Sequence, residues 1–263
     1  MSLLRAWLAG IPAYLWSGWG AVASLCLLLA GWEGLHLAYG DLILPDPAST
    51  IGRLRELFAS GAAWPELIVT ARRAMTGLTL AVAAGSVLGL AAGVSMTAAM
   101  MSRPLVTILL GTPPIAWLVL AMLWFGVGDG TPVFTVFIAC FPVVFVGALQ
   151  GTRTLDHHLR DVALVFRLPV RMKLVDLYLP HVVSYLFPAW ITALGTSWKV
   201  VVMAELLASS DGIGAALAVS RSHLDMEATL AWIAAVVLAL LAVEYLLLEP
   251  VKREVERWRE VDP

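Results

Sequence analysis

The chain has 263 residues, 60% of them hydrophobic and 14% charged, with a net charge of -2 at pH 7. Soluble domains average about 45–50% apolar and about 25% charged residues, so a water-soluble fold is excluded: it could not hide this much apolar surface. The basic residues are few and scattered, which excludes nucleic-acid binding as well, and the chain is read as an integral membrane protein.

A membrane helix needs about 20 mostly apolar residues. The first span is expected at about 17–38 and carries Glu33 and His36. Arg5 and Pro12 precede it, and Trp19 and Trp32 lie inside it. The run is longer than the apolar core of a secretory signal, which predicts a retained helix. Residues 41–66 follow as a loop opened by Leu44-Pro45-Asp46-Pro47 and a Ser49/Thr50 capping pair. Ile51, Leu54, Leu57 and Phe58 then recur at helical spacing opposite Arg53, Arg55 and Glu56. This pattern predicts a short amphipathic helix at about 48–60, lying at the outer interface.

Three uncharged runs predict spans at 74–102, 104–128 and 130–152, separated by Arg103 and Asp129. Within the first of these, Gly77, Ala81, Gly85, Gly89, Gly93 and Thr97 recur every four residues. A face so poor in side chains lets another helix approach closely, within the subunit in the first reading and between subunits in the second. A fifth span at about 182–207 contains Lys199 and Glu205, and a sixth covers about 228–248. Cys26 and Cys140 fall inside apolar runs and are expected to act as small hydrophobes.

Cytoplasmic loops of membrane proteins are enriched in Lys and Arg. With the N-terminus inside, the cytoplasmic segments hold Arg5, Arg103, Arg153, Arg160, Arg167, Arg171, Lys173 and the tail group Lys252, Arg253, Arg257 and Arg259. These outnumber Arg53, Arg55, Arg72, Arg73 and Arg221 on the outer side. Both termini are therefore expected in the cytoplasm, and 153–181 becomes a long cytoplasmic loop.

No catalytic constellation stands out. Gly195-Thr196-Ser197 runs on into Trp198, which breaks the G-x-S-x-G elbow of a serine hydrolase. His157 and His158 are adjacent; on a helix they would point about 100° apart and could not chelate one ion as an i, i+4 pair does. A phosphate-binding loop needs lysine directly after glycine, yet Lys173, Lys199 and Lys252 follow Met172, Trp198 and Val251. Neither metal nor cofactor is expected, and any ATP-driven activity requires a partner subunit.

Residues 159–181 place Asp161, Val162 and Ala163, then Arg167 after three residues, then Leu177, Leu179 and Pro180. This spacing resembles the EAA signature of ABC importer permeases, in which Glu-Ala-Ala is followed by Gly and later by Ile-x-Leu-Pro. Arg167 stands where those proteins carry glycine. A left-handed turn there would cost an arginine on the order of 1 kcal/mol or more, and Pro169 offers another way to redirect the chain.

Further matches lie at Thr112-Pro113-Pro114-Ile115-Ala116-Trp117, Leu123-Trp124-Phe125-Gly126-Val127-Gly128, Ser197-Trp198-Lys199, Ala204-Glu205 and Gly212-Ile213-Gly214. In these the chain is most like the sulfonate, taurine and nitrate importer permeases.

The resemblance implies an all-α integral membrane fold of six transmembrane helices, the type I ABC importer (MetI-like) permease fold, as a single domain over 1–263. It implies a multi-pass protein of the bacterial inner membrane that is not itself an enzyme. The partners implied are a second permease subunit, as a homodimer, two ATP-binding ABC subunits and an extracytoplasmic substrate-binding protein. Asp161, Val162, Ala163, Val165, Phe166 and Arg167 would couple to the ATPase, because a short helix displaying apolar residues suits a groove on a soluble partner. Pro114, Trp117, Ser197, Lys199 and Glu205 would belong to the translocation path. A small anion such as a sulfonate, taurine or nitrate is the expected solute, and a vitamin precursor or other organic nutrient is the alternative. A channel or secondary transporter ranks lower, since no repeated halves with matching broken helices are present.

Overall fold

The computed structural model describes residues 2–154, 165–166 and 169–244, and those residues form an all-helical protein. Helix α1 is Ser2–Tyr39, longer than the span expected at 17–38. Its C-terminal end is tied to the turn that follows, Trp32 Nε1 donating to Pro45 O and His36 Nδ1 to Leu44 O, each at 2.9 Å. Helix α2, Pro47–Ala59, is the expected short amphipathic helix. Its cap is Asp46 rather than the Ser49/Thr50 pair: Asp46 Oδ2 accepts from the N–H groups of Ala48 and Ser49 at 2.9 and 3.0 Å. Pro47 occupies the first helical position, where its missing N–H costs nothing. The Ser49 hydroxyl and these backbone donors hold the Asp46 carboxyl below the usual carboxylate range.

The next two helices divide differently from the uncharged runs. Helix α3 runs Ala63–Val94, so it starts before Arg72 and Arg73 and takes both into the helix. It ends at Ser95, whose extended backbone (φ -111, ψ 124) breaks the chain and whose Oγ caps helix α4, Met96–Gly111. Arg103 therefore lies inside α4 and separates nothing. Helix α5, Pro114–Phe125, follows at a 93° bend. Pro113 forces the preceding residue out of the helical region, and Thr112 is indeed extended, with ψ 122. The uncharged run 104–128 is thus a broken pair of helices and not one straight span.

Helix α6, Gly130–Arg153, matches the fourth expected span. A helical turn at Val170–Met172 and a π-helical turn at Lys173–Tyr178 lead into α7, Leu179–Ala208. Helices α8, Ile213–Ser222, and α9, Met226–Val243, complete the described residues. Five stretches are long and apolar enough to cross a membrane, six with the bent α4–α5 pair counted as one.

The core is the layer α3–α6–α7. The small-residue face of α3 meets α6 of the same subunit: a Cβ built at Gly77 would lie 2.7 Å from Val136 Cβ, and one at Gly85 2.9 Å from Val144 Cβ. Gly89 and Gly93 similarly face Ala148 and Thr152. On its other side α6 uses Gly147 and Gly151 to admit Ala189 and Tyr185 of α7. Close backbone approach compensates for the weak hydrophobic drive between helices in lipid. Cys140 is buried in this layer.

Candidate functional site

The small-residue face of α3 continues toward its N-terminus as polar residues in the same register. Stepping back from Gly77 by four, three and four gives Arg73, Thr70 and Glu66, which share one helical face. Arg73 is 2% exposed, and its five N–H donors all find acceptors, which is the full capacity of a guanidinium. Nε donates to Asp129 Oδ1 at 2.7 Å, and Nη2 donates to the same oxygen and to Asp211 Oδ1 at 2.6 Å. Nη1 donates to Glu205 Oε1 at 3.0 Å and to Asp211 O at 2.8 Å.

Glu205, on the last turn of α7, is completely buried. Its second oxygen accepts from Thr70 Oγ1 at 2.7 Å and from the Gly214 N–H at 3.2 Å. Thr70 Oγ1 in turn accepts from the Ile213 N–H at 2.9 Å, and the Glu66 carboxylate accepts from the Gly212 N–H. Both glycines of the Gly212-Ile213-Gly214 motif are required here. Gly212 has φ +94, and a Cβ on Gly214 would come within 2.6 Å of Glu205 Cβ. Arg72 adds a second cation by donating to Asp129 Oδ2 at 2.7 Å.

This network joins α3, the α5–α6 turn, α7 and the α7–α8 turn at one end of the core. A buried charge is tolerated only when paired and fully hydrogen bonded, and here the acidic partners come from two parts of the chain remote from Arg73, Asp129 from one and Glu205 and Asp211 from the other. Arg73 and Asp129 were read from the sequence as loop residues; the signal that could have found them was the four-residue step of the glycine face, which does not stop at Gly77.

The expected path residues separate into two groups. Ser197 and Glu205 are fully buried, and Ser197 Oγ donates to Leu194 O at 2.8 Å within its own helix. Lys199 is exposed, as its position about 120° around the helix from Glu205 requires. Asp129 is engaged by Arg72 and Arg73. Pro114 opens α5 just after the 93° bend. Trp117, on the next turn, is half-buried, and its Nε1 has no acceptor among the described residues. Leu118 and Met122 of α5 pack on Ala204 and Ala208 of α7.

Of the expected coupling residues, Val165 and Phe166 are 77% and 73% exposed. Asp161, Val162, Ala163 and Arg167 lie outside the described residues. The base of this segment is closed, with Thr154 Oγ1 3.3 Å from His181 Nε2 and Gly151 packed on Val182.

Residues 63–249 match the family described as binding-protein-dependent transport system inner membrane component. The chain is similar to the taurine transport system permease protein of Escherichia coli (strain K12), 26% identical over 95% of this chain and 88% of that one. It is similar to the putative aliphatic sulfonates transport permease protein of Bacillus subtilis (strain 168), 26% identical over 79% and 72% of the two chains. The nitrate import permease protein of Synechococcus elongatus is 24% identical over 73% of each.

Proposed function

Because the chain belongs to the family of binding-protein-dependent transport system inner membrane components, we propose that it forms the membrane path of an ATP-driven importer for a small anion of the sulfonate, taurine or nitrate kind. The names of the relatives support that solute class. ATP hydrolysis falls to separate ATP-binding subunits, since no lysine of this chain follows a glycine. The complex has two copies of this chain, two ATPases and an extracytoplasmic binding protein, with both termini of the chain in the cytoplasm of a bacterial cell.

The observation that carries the anion reading is Lys199. A cation in the middle of a span costs about 2.5–3.5 kcal/mol on insertion scales unless it faces protein or water. Lys199 is exposed on α7 and makes no ion pair among the described residues. A water-filled path between two copies satisfies it, and there its charge attracts an anion. The segment 153–181 transmits ATPase motion: Val165 and Phe166 are the apolar residues that insert into the ATPase, and the closed base at Thr154 and His181 carries the displacement into α6 and α7.

Reconstitution with the cognate ATPase and binding protein tests the reading. ATP-dependent uptake of taurine, an alkanesulfonate or nitrate is the expected result. Uptake of a neutral or cationic nutrient, with none of these anions carried, would overturn the solute class and favour the organic-nutrient alternative.

A further inference from the structure

Between α4 and the end of α6 lies an open cleft of about 510 Å³, a size in the range of about 300–1,000 Å³ usual for small-molecule sites. The two helices run antiparallel along it. Arg153 lies beside Met96 at one end, its Nη2 2.8 Å from Met96 Sδ. Leu110, about 21 Å of helix further along α4, marks the other. Arg103 lines the cleft between these ends, and Val106, Leu110 and Leu149 add apolar surface to its lining.

Both arginines are exposed, and among the described residues neither is in an ion pair. Among the described residues the Arg153 guanidinium donates to a thioether, which is a weak acceptor. The contrast with Arg73, which spends every donor on oxygen, is sharp. Two forked cations without oxygen acceptors match a phosphate, which accepts paired N–H bonds from each. A free inorganic anion would use the arginines and leave the apolar stretch wet. A phospholipid uses both halves, because burying its chain removes apolar surface from water while its headgroup stays at the arginines.

We propose that this cleft binds an anionic phospholipid, its phosphate held by Arg103 and Arg153 and an acyl chain lying against Val106, Leu110 and Leu149. Arg153 lies at the end of the bundle that the charge bias assigns to the cytoplasm, with Arg103 about 10 Å of helix further in from Met96; the leaflet surface there is anionic, and basic clefts between helices recognise headgroups. The site is independent of which solute the importer carries.

The test uses the full-length chain in nanodiscs or neutral detergent, with phosphatidylglycerol and phosphatidylcholine as probes and bound lipid read by native mass spectrometry. The expected preference for phosphatidylglycerol is about tenfold, falling to near parity in the Arg103→Gln/Arg153→Gln variant and persisting in Arg103→Lys/Arg153→Lys. Both positions are exposed, so unchanged elution and helical circular dichroism should accompany the loss. An unaltered preference in the Gln variant overturns the proposal. Displacement of the lipid by low millimolar inorganic phosphate would assign the cleft to a soluble anion and overturn the lipid reading. A disulfide formed between two copies of Thr107→Cys would place a second copy over the cleft and overturn it too.

Discussion

Arg73 of α3 and Glu205 of α7 meet at 3.0 Å inside the bundle although 132 residues separate them in sequence. Their pairing is the innermost link of the network that also engages Asp129 and Asp211. Because Arg73 is 2% exposed and Glu205 fully buried, removing Arg73 strands the Glu205 carboxylate, whereas removing Glu205 leaves Arg73 paired with Asp129 and Asp211. Arg73→Met should destabilise the folded chain by about 3–5 kcal/mol. Arg73→Lys should recover little of that, because an ammonium cannot reproduce the fork. Thermal unfolding in detergent reads the first effect, and a double-mutant cycle with Glu205→Gln reads the coupling. Independent, additive losses would count against a shared network.

The contact between α3 and α6 predicts a steric result. Gly85→Ala puts a Cβ 2.9 Å from Val144 Cβ, closer than packed carbons sit, and overpacking of this kind costs about 1–3 kcal/mol. Pairing it with Val144→Ala should restore much of the loss. Gly31→Ala, inside α1 where no atom lies within 4 Å, is the control and should not lower the melting temperature, since alanine is the better helix former.

Lys199→Met should leave assembly and ATPase activity intact while lowering anion uptake about tenfold or more, since a hydrogen bond to a charged group contributes about 1.5–3 kcal/mol. Lys199→Arg should keep part of the transport. Uptake in proteoliposomes containing the whole complex is the measurement. Loss of assembly in Lys199→Met, or unchanged uptake, returns Lys199 to a structural role.

Asp161→Lys combined with Phe166→Asp should uncouple ATP hydrolysis from transport without unfolding the membrane domain. Phe166 is 73% exposed, so a charge there disturbs no core and is costly only where a partner buries it. The expected outcome is normal expression and melting, ATPase no longer stimulated by loaded binding protein, and uptake near background. Normal transport by the double variant would move the ATPase contact elsewhere.

The amino-acid sequence alone determined that the chain is a multi-span helical membrane protein, because apolar runs near 20 residues and a one-faced glycine repeat are local properties of the chain. It also determined that no glycine-lysine pair is present to cradle ATP phosphates. Tertiary structure decided where α3 begins and what closes one end of the core. A reading by charge ends a span at Arg72 and Arg73, since a lone arginine in hydrocarbon is costly. Arg73 enters the helix because Asp129, from the α5–α6 turn, and Glu205 and Asp211, from the end of α7 and the turn after it, arrive from two distant segments and neutralise it, and no local pattern contains that information. The same holds for α4 and α5. Composition shows one uncharged run, whereas the 93° bend at Thr112 and Pro113 is set by backbone sterics at proline together with the packing of Leu118 and Met122 on the end of α7.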